Sequence, residues 1–417
     1  MSLRCQVSAL VGFRVDQLFA RRLALIAGVC IRLYDVTRIL IVGGGIGGLS
    51  AALALRQVGF APEVFEQAPE LLEVGAAIAV WPNALRILQR LGVADQVLTR
   101  AGVIEQVRWL NWDGRLIKHV RFPSTGAPAV ALHRADLQRA LLHALPASSI
   151  HLGRVCESYQ QIGDEIHARF ADGATVTCDL LFGADGLHSR LRAQILADGP
   201  PRHRGYTVWR GVTDCAPQAL PSNTALELYG RGQRFGIGPV GLGRTGWWAT
   251  ANERADAAEI PSERQRKLLT LFAGWCEPVR ALIAATPAET ILHTAALDRP
   301  PSKQWGAGRM TLLGDAIHPT TPNLGQGGCM AIEDAVVLAR CLLKYGVATQ
   351  TLRTYERHRH ARTTLITNYS RYYGRIGQWQ TASSTRLRGL LLSLLPKALL
   401  QHVLHLIFDY DAYAVDI

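Results

Sequence analysis

A chain of 417 residues, 48% of them apolar and 19% charged, can bury a large core and is long enough for two domains. Its net charge of +12 comes from scattered Lys and Arg with no basic block, which argues against nucleic acid as a partner and suits an anionic cofactor or substrate. Eight cysteines without a C-x-x-C pair give neither metal spacing nor a disulfide framework, and read as small buried hydrophobes in a reducing, cytoplasmic setting.

Residues 1–36 carry Arg4, Arg14, Arg21, Arg22 and Arg32 around an apolar patch from Leu23 to Ile31 that Gly28 interrupts. They read as an extension outside the fold; the patch is short for a signal peptide, and serine is scarce for a transit peptide. From Arg38 the pattern becomes regular. Ile39 to Val42 is a fully apolar strand, Gly43 to Gly48 a glycine turn, and Leu49 to Leu55 a helix that stops at Gly59. Glu63 to Glu66 is a second strand, ending in an acid, so the whole is a βαβ unit. Helices are expected over 82–92, 94–101 and 137–145, and a hairpin over 105–120 around Asp113-Gly114. Three short strands turn at 163–164 and 172–173, and an apolar strand ends in Gly183-Ala184-Asp185-Gly186.

From Tyr206 to Ala251 short strands rich in Trp, Tyr and Gly alternate with turns, the pattern of an antiparallel sheet. Helices over 262–273 and 276–285 and a strand over 290–297 lead to Met310–Leu313, a buried strand. The stretch from Gly314 to Gly328 then holds Pro319, Pro322 and four glycines before a helix over 329–343. A glycine-rich approach to a helix N-terminus, beside an acid at a strand end, presents N–H donors and a hydroxyl acceptor to one ligand. The tail from Thr351 is helical. Its leucine-rich part, 387–407, is broken by Pro396, Lys397, Gln401, His402 and His405. That composition fits poorly in a bilayer and leaves packing against the domain or a second subunit, or peripheral membrane contact.

Gly43, Gly45 and Gly48, with Ile46 and Gly47 between them, spell G-x-G-x-x-G directly after a strand and at the start of a helix. The first glycine permits the tight turn, the second admits a pyrophosphate, and the third lets helix and strand approach. Glu66, with Gln67 beside it, follows Gly48 by 18 residues, the place of an acid that holds a ribose diol. An acid there argues against a 2′-phosphate and leaves NAD and FAD open. Cys329 stands at a helix N-terminus, where thiol pKa values fall; a packed helix residue is the plainer alternative.

Asp185-Gly186, Ser189 and Arg192 resemble the D-G-x-x-S-x-x-R signature of group A flavoprotein monooxygenases, and Gly314-Asp315 with Pro322, Gly325, Gly327 and Gly328 resembles their second FAD signature. The motifs keep the family's order, and the resemblance covers about Arg38 to Arg362. Gly75 to Asn83 and Pro322 to Gly328 look most like the branch holding urate hydroxylase, salicylate hydroxylase and zeaxanthin epoxidase. The resemblance implies an α/β fold in which a Rossmann-like FAD-binding domain (37–104, 131–204 and a flavin-ring part, 299–374) is interleaved with an antiparallel-sheet substrate domain (105–130 and 205–298), followed by a helical tail (375–417). It implies FAD as cofactor and NAD(P)H as co-substrate, with O2 captured at flavin C4a and one oxygen delivered from the hydroperoxide. Gly43 to Gly48 then border the pyrophosphate and Glu66 takes the adenosine ribose. Arg134 contacts the flavin side, unless it is a helix-start arginine in a local salt bridge. Asp185 and Arg192 lie near FAD, Asp315 takes the ribityl region, and Gly325 to Gly328 open the helix under the flavin pyrimidine edge.

Substrate-side candidates are Arg234, which the resemblance places facing the substrate, and Arg210, with Trp209, Phe235, Trp247 and Trp248 as an aromatic wall. The same residues read equally well as a sheet core. His318 is either an acid–base group or a loop-ordering residue. The expected function is hydroxylation of a small aromatic or heteroaromatic molecule by a monomer or homodimer. Epoxidation of an isoprenoid alkene and a flavoprotein without oxygenase activity stand as alternatives.

Overall fold

Ile39–Val42 is apolar at every position because both of its faces are covered: the strand lies inside a parallel sheet and is wholly buried. The structure, a computed structural model, describes residues 37–417 except 71–74, 123–125, 215–219 and 255–258. The extension expected over 1–36, with Cys5 and Cys30, and also Cys215 lie outside the described residues. The six-stranded sheet runs in the order Gly306–Ala307, Met310–Leu312, Leu180–Gly183, Ile39–Val42, Glu63–Phe65, Ile150–His151. Only the Gly306–Ala307 edge is antiparallel. Val42, Phe65, Gly183 and Leu312 therefore end side by side on one rim, the carboxyl edge at which open α/β sheets hold ligands.

Two helices pack together beside that sheet, Ile46–Gln57 and Gly327–Tyr345. Every residue from Cys329 to Ala339 is buried, which makes this a core helix and not a surface one.

A second, seven-stranded sheet runs Leu292–Asp298, Arg202–Thr213, Thr245–Asn252, Gln233–Pro239, Thr224–Tyr229, Gln106–Asn111, Leu116–Arg121. It is antiparallel except for one pair: Thr224–Tyr229 lies parallel to Gln106–Asn111. These two strands come from separate excursions of the chain, so no hairpin dictates their direction. One face of the sheet is covered by Arg264–Leu271 and Val279–Ala284, burying Trp209, Leu228, Phe235, Trp247, Phe272 and Ile291. A small antiparallel sheet, Ala77–Val80, Ala129–His133 and Gly102–Ile104, joins the two regions. The Thr349–Gly377 helix runs straight through the boundary expected at 374–375 and is followed by Ala382–Leu394 and Lys397–Phe408.

Candidate functional site

The glycine turn shows three different needs for a missing side chain. Gly43 sits at φ +112°, and a Cβ there would fall 2.3 Å from the Ala184 carbonyl oxygen. A Cβ on Gly48 would fall 1.9 Å from the Gly43 carbonyl oxygen, so helix and strand could not close up. Gly45 faces open space, with nothing within 4 Å of its would-be Cβ. The helix that begins at buried Ile46 has no side-chain cap, leaving its first N–H groups directed at that space. Gly47 packs toward Leu313 and Ala331. The Glu66 carboxylate is fixed over the turn by Gly44 N–H at 2.6 Å and Ala68 N–H at 2.9 Å, with Gln67 exposed beside it.

At the end of the neighbouring strand, Asp185 Oδ2 accepts from the N–H groups of Arg190 (2.9 Å) and Leu191 (3.3 Å). Its Oδ1 is buried with no partner, and burial raises its pKa despite those bonds. A buried acceptor left bare costs about 1–3 kcal/mol, so this atom is placed for a donor. Gly186, at φ +77°, opens the turn that follows. Arg192, expected at the cofactor, has a guanidinium that is buried and committed to the protein. It binds Asp198 at 2.6 and 3.0 Å and the Ile317 carbonyl at 2.6 Å. Arg192 therefore braces the loop that carries Asp315.

In that loop Gly314, at φ +59°, donates its N–H to Asp334 Oδ2 at 2.9 Å. Asp315 is open to solvent yet has protein on nearly every side, the signature of a side chain lining a deep cleft. The enclosure raises its pKa; His318 and Arg134 oppose the rise. Arg134 starts the Arg134–His143 helix, is exposed, and has no ion pair among the described residues. Pro322 is exposed at the head of the turn Pro322–Leu324, and Gly325 (φ +62°) lies against the Trp81 indole. The Gly327–Tyr345 helix also lacks a side-chain cap. A Cβ on Gly327 would lie 3.7 Å from Asp315 Oδ1, and one on Gly328 would lie 3.9 Å from Ile46. Two uncapped helix N-termini and three carboxylates thus line one cleft. Beyond Trp81, which stacks on Phe408 with centroids 4.0 Å apart, is a cavity of about 640 Å³ whose walls include Phe122 and Ile104.

Behind the loop lies a network of buried charges that no sequence motif marks. Asp334 accepts from His318 Nε2 (2.5 Å) and Arg359 Nε (2.7 Å); Glu333 accepts from Arg359 Nη2 (2.7 Å), Asn83 Nδ2 (2.6 Å) and Arg362 Nη2 (3.1 Å). Burial alone would raise both carboxyls, but the facing cations win and lower them, Asp334 to about 2. His318 is thereby anchored to the core helix and buried against Trp305. Adjacent acids inside an otherwise apolar helix were the available signal. Cys329 is a packed residue, its thiol pushed up to about 12 by burial.

The proposed aromatic wall divides between two faces of the large sheet. Trp209, Phe235 and Trp247 belong to the helix-covered core; Trp247 Nε1 donates to Thr286 at 2.9 Å and Trp209 Nε1 to Glu259 at 2.5 Å. Arg210, Arg234 and Trp248 are on the other face, with Arg210 paired to Trp248 in register. Trp248 lies across Gly236, where a Cβ would come within 2.1 Å of the indole. Arg234 is buried between Glu227 (3.2 Å), Gln378 (3.2 Å) and Asn323, so it is a junction and not an open cation. Asn323 also donates to Tyr206 Oη (2.9 Å) and the Ser370 carbonyl (2.9 Å), tying the loop to the sheet; nothing in its spacing marked it. Arg210 has Thr294 Oγ1 at 2.9 Å and no carboxylate partner among the described residues.

Residues 36–370 match the FAD binding domain family. The chain belongs to that family. It is 41% identical over 361 residues to aurachin C monooxygenase/isomerase of Stigmatella aurantiaca, covering 86% of this chain and 94% of that one. It is 35% identical over 326 residues to the FAD-dependent urate hydroxylase of Klebsiella pneumoniae, covering 77% and 85%. The crystal structure of Klebsiella pneumoniae HpxO with FAD and uric acid superposes with a TM-score of 0.84 at 31% identity, over 90% of this chain and 97% of that one. The protein is an FAD-dependent monooxygenase of this family, in the branch that the motifs resembled. The cleft fits the cofactor: Gly45 leaves its approach clear, and Asp185 Oδ1 and Asp315 offer acceptors.

Proposed function

We propose that this member of the FAD binding domain family hydroxylates an aromatic or heteroaromatic small molecule carrying an anionic or phenolate-like group, with NAD(P)H and O2 as co-substrates. Bound in the cleft, FAD supplies the redox and oxygen-activating chemistry. Gly43 to Gly48 would hold its pyrophosphate on backbone N–H groups, Glu66 its adenosine ribose, and Asp185 and Asp315 its ribityl hydroxyls. The first N–H groups of Gly327–Tyr345, at the positive end of a helix, would hold negative charge on the ring system without burying a cation. Arg134 would add a positive charge on the same side.

The observation carrying the substrate class is Arg210. Its side chain is only partly exposed, burial pushes its guanidinium below the ordinary value, and no carboxylate compensates it among the described residues. A walled-in, unpaired cation beside an indole suits a flat anion, and uric acid is the ligand in the HpxO structure. Arg234 would act from behind, holding Asn323 and hence the loop.

The test is NAD(P)H oxidation by the FAD-loaded enzyme across phenolic acids, purines and a carotenoid. Stimulation by the first two classes is expected, with Arg210→Gln raising substrate Kd about tenfold or more and leaving FAD bound. Stimulation by the carotenoid alone would transfer the reading to alkene epoxidation. FAD bound with no stimulation by any of them would overturn the proposed substrate class.

A further inference from the structure

Ala382–Leu394 and Lys397–Phe408 meet at 92° and carry a surface with no part in the site. Lys397–Phe408 turns Leu400, Leu404, Ile407 and Phe408 inward against Trp109, Val120, Tyr229 and Ile366. It is tied down by Gln401 to the Arg121 carbonyl at 3.0 Å and by Arg362 to the Leu406 and Ile407 carbonyls at 2.8 and 2.7 Å. Ala382–Leu394 is held differently. Its one buried side chain is Arg388, whose guanidinium reaches the Gly377 and Gly230 carbonyls, both at 2.7 Å. Four of its five leucines point the other way: Leu387, Leu390, Leu391 and Leu394 are exposed, Leu394 by 69%, while Leu392 packs inward, and Leu399 continues the patch across the bend. A helix that buries Arg388 and exposes four of its five leucines reverses the order expected in water.

Along these two helices the charges have one sign. No Asp or Glu occurs between residues 382 and 408. Arg386 and Lys397 are exposed, and Lys118 reaches the Ser393 carbonyl at 2.9 Å. Among the described residues no single helix is long and apolar enough to cross a membrane, and each helix of this pair is fastened to the fold. We infer that this face docks flat onto an anionic lipid surface, the leucines entering the headgroup–acyl boundary and the three cations meeting lipid phosphates. A second copy would bring a like-charged face against this one, in a molecule that already carries +12. An anionic bilayer meets the leucines and the cations together.

The experiment uses the full chain loaded with FAD. It is sedimented with vesicles of phosphatidylcholine alone and of phosphatidylcholine with phosphatidylglycerol, in low and high salt. Binding is expected to the phosphatidylglycerol vesicles and to weaken in salt. Changing Leu390, Leu391 and Leu394 together to Ser should weaken it about tenfold or more, and Arg386→Gln about fivefold. Flavin absorbance and melting temperature should stay unchanged in both. Wild-type protein left in the supernatant with both vesicles overturns the inference, as does a leucine variant that binds like wild type. A dimer in vesicle-free buffer that the leucine changes dissociate would also overturn it, assigning the face to a second copy.

Discussion

Asp315→Ala removes an acceptor that protein encloses and solvent still reaches. The loss of a charge-assisted hydrogen bond of about 1.5–3 kcal/mol predicts FAD affinity roughly ten- to hundredfold weaker, read by quenching of flavin fluorescence on titration. Arg192→Ala should also weaken FAD binding, because its guanidinium holds Asp198 and the carbonyls of Ala316 and Ile317 and so the turn on which Asp315 sits. Arg192→Lys tests that role. A brace should be partly restored, since an ammonium can still reach Ile317 or Asp198. An FAD affinity of Arg192→Lys no better than that of the alanine variant would remove the brace.

At the scale of the element, the helix Gly327–Tyr345 has two roles that its sequence shows unequally. Its N-terminus was legible, because Gly325, Gly327 and Gly328 announce close approach. Its middle was not: Glu333 and Asp334 gain meaning only once Thr349–Gly377 lies alongside and supplies Arg359 and Arg362. Arg359→Ala leaves two buried carboxylates short of a partner and should lower stability by about 3–5 kcal/mol, measured by chemical denaturation. The large sheet teaches the same lesson about faces. Alternation along Gly246-Trp247-Trp248-Ala249 shows that adjacent indoles point oppositely, but only register reveals which one meets the helices. The parallel pairing of Thr224–Tyr229 with Gln106–Asn111 joins strands more than a hundred residues apart in sequence, beyond what turn chemistry encodes.

For the whole molecule, acid should act in two stages. Asp334 is depressed to about 2 by its cations, so its stabilising contribution is present above its ordinary value of 3.8 and is lost as the pH falls from there toward 2. Asp315 is shifted the other way: enclosure raises it, so it protonates above 3.8 and ceases to be a charged acceptor while the fold still stands. Flavin release should therefore precede unfolding on acidification, with flavin fluorescence rising at a higher pH than the loss of far-UV ellipticity. Coincident transitions would show that the two halves of the site do not titrate separately.

The order of the sheet has a consequence during synthesis. Ile39–Val42 leaves the ribosome early, yet its rim is completed by Met310–Leu312 and the turn at Gly314, which wait on Asp334 and Arg359. The 268 residues that follow Glu66 up to Asp334 take on the order of half a minute to translate. Through that interval the nascent chain offers half a nucleotide cradle and no closed one. Cofactor capture is thereby a late event that reports a finished chain: a polypeptide truncated before Arg359 should emerge colourless and open to proteolysis, whatever its N-terminal half has folded into.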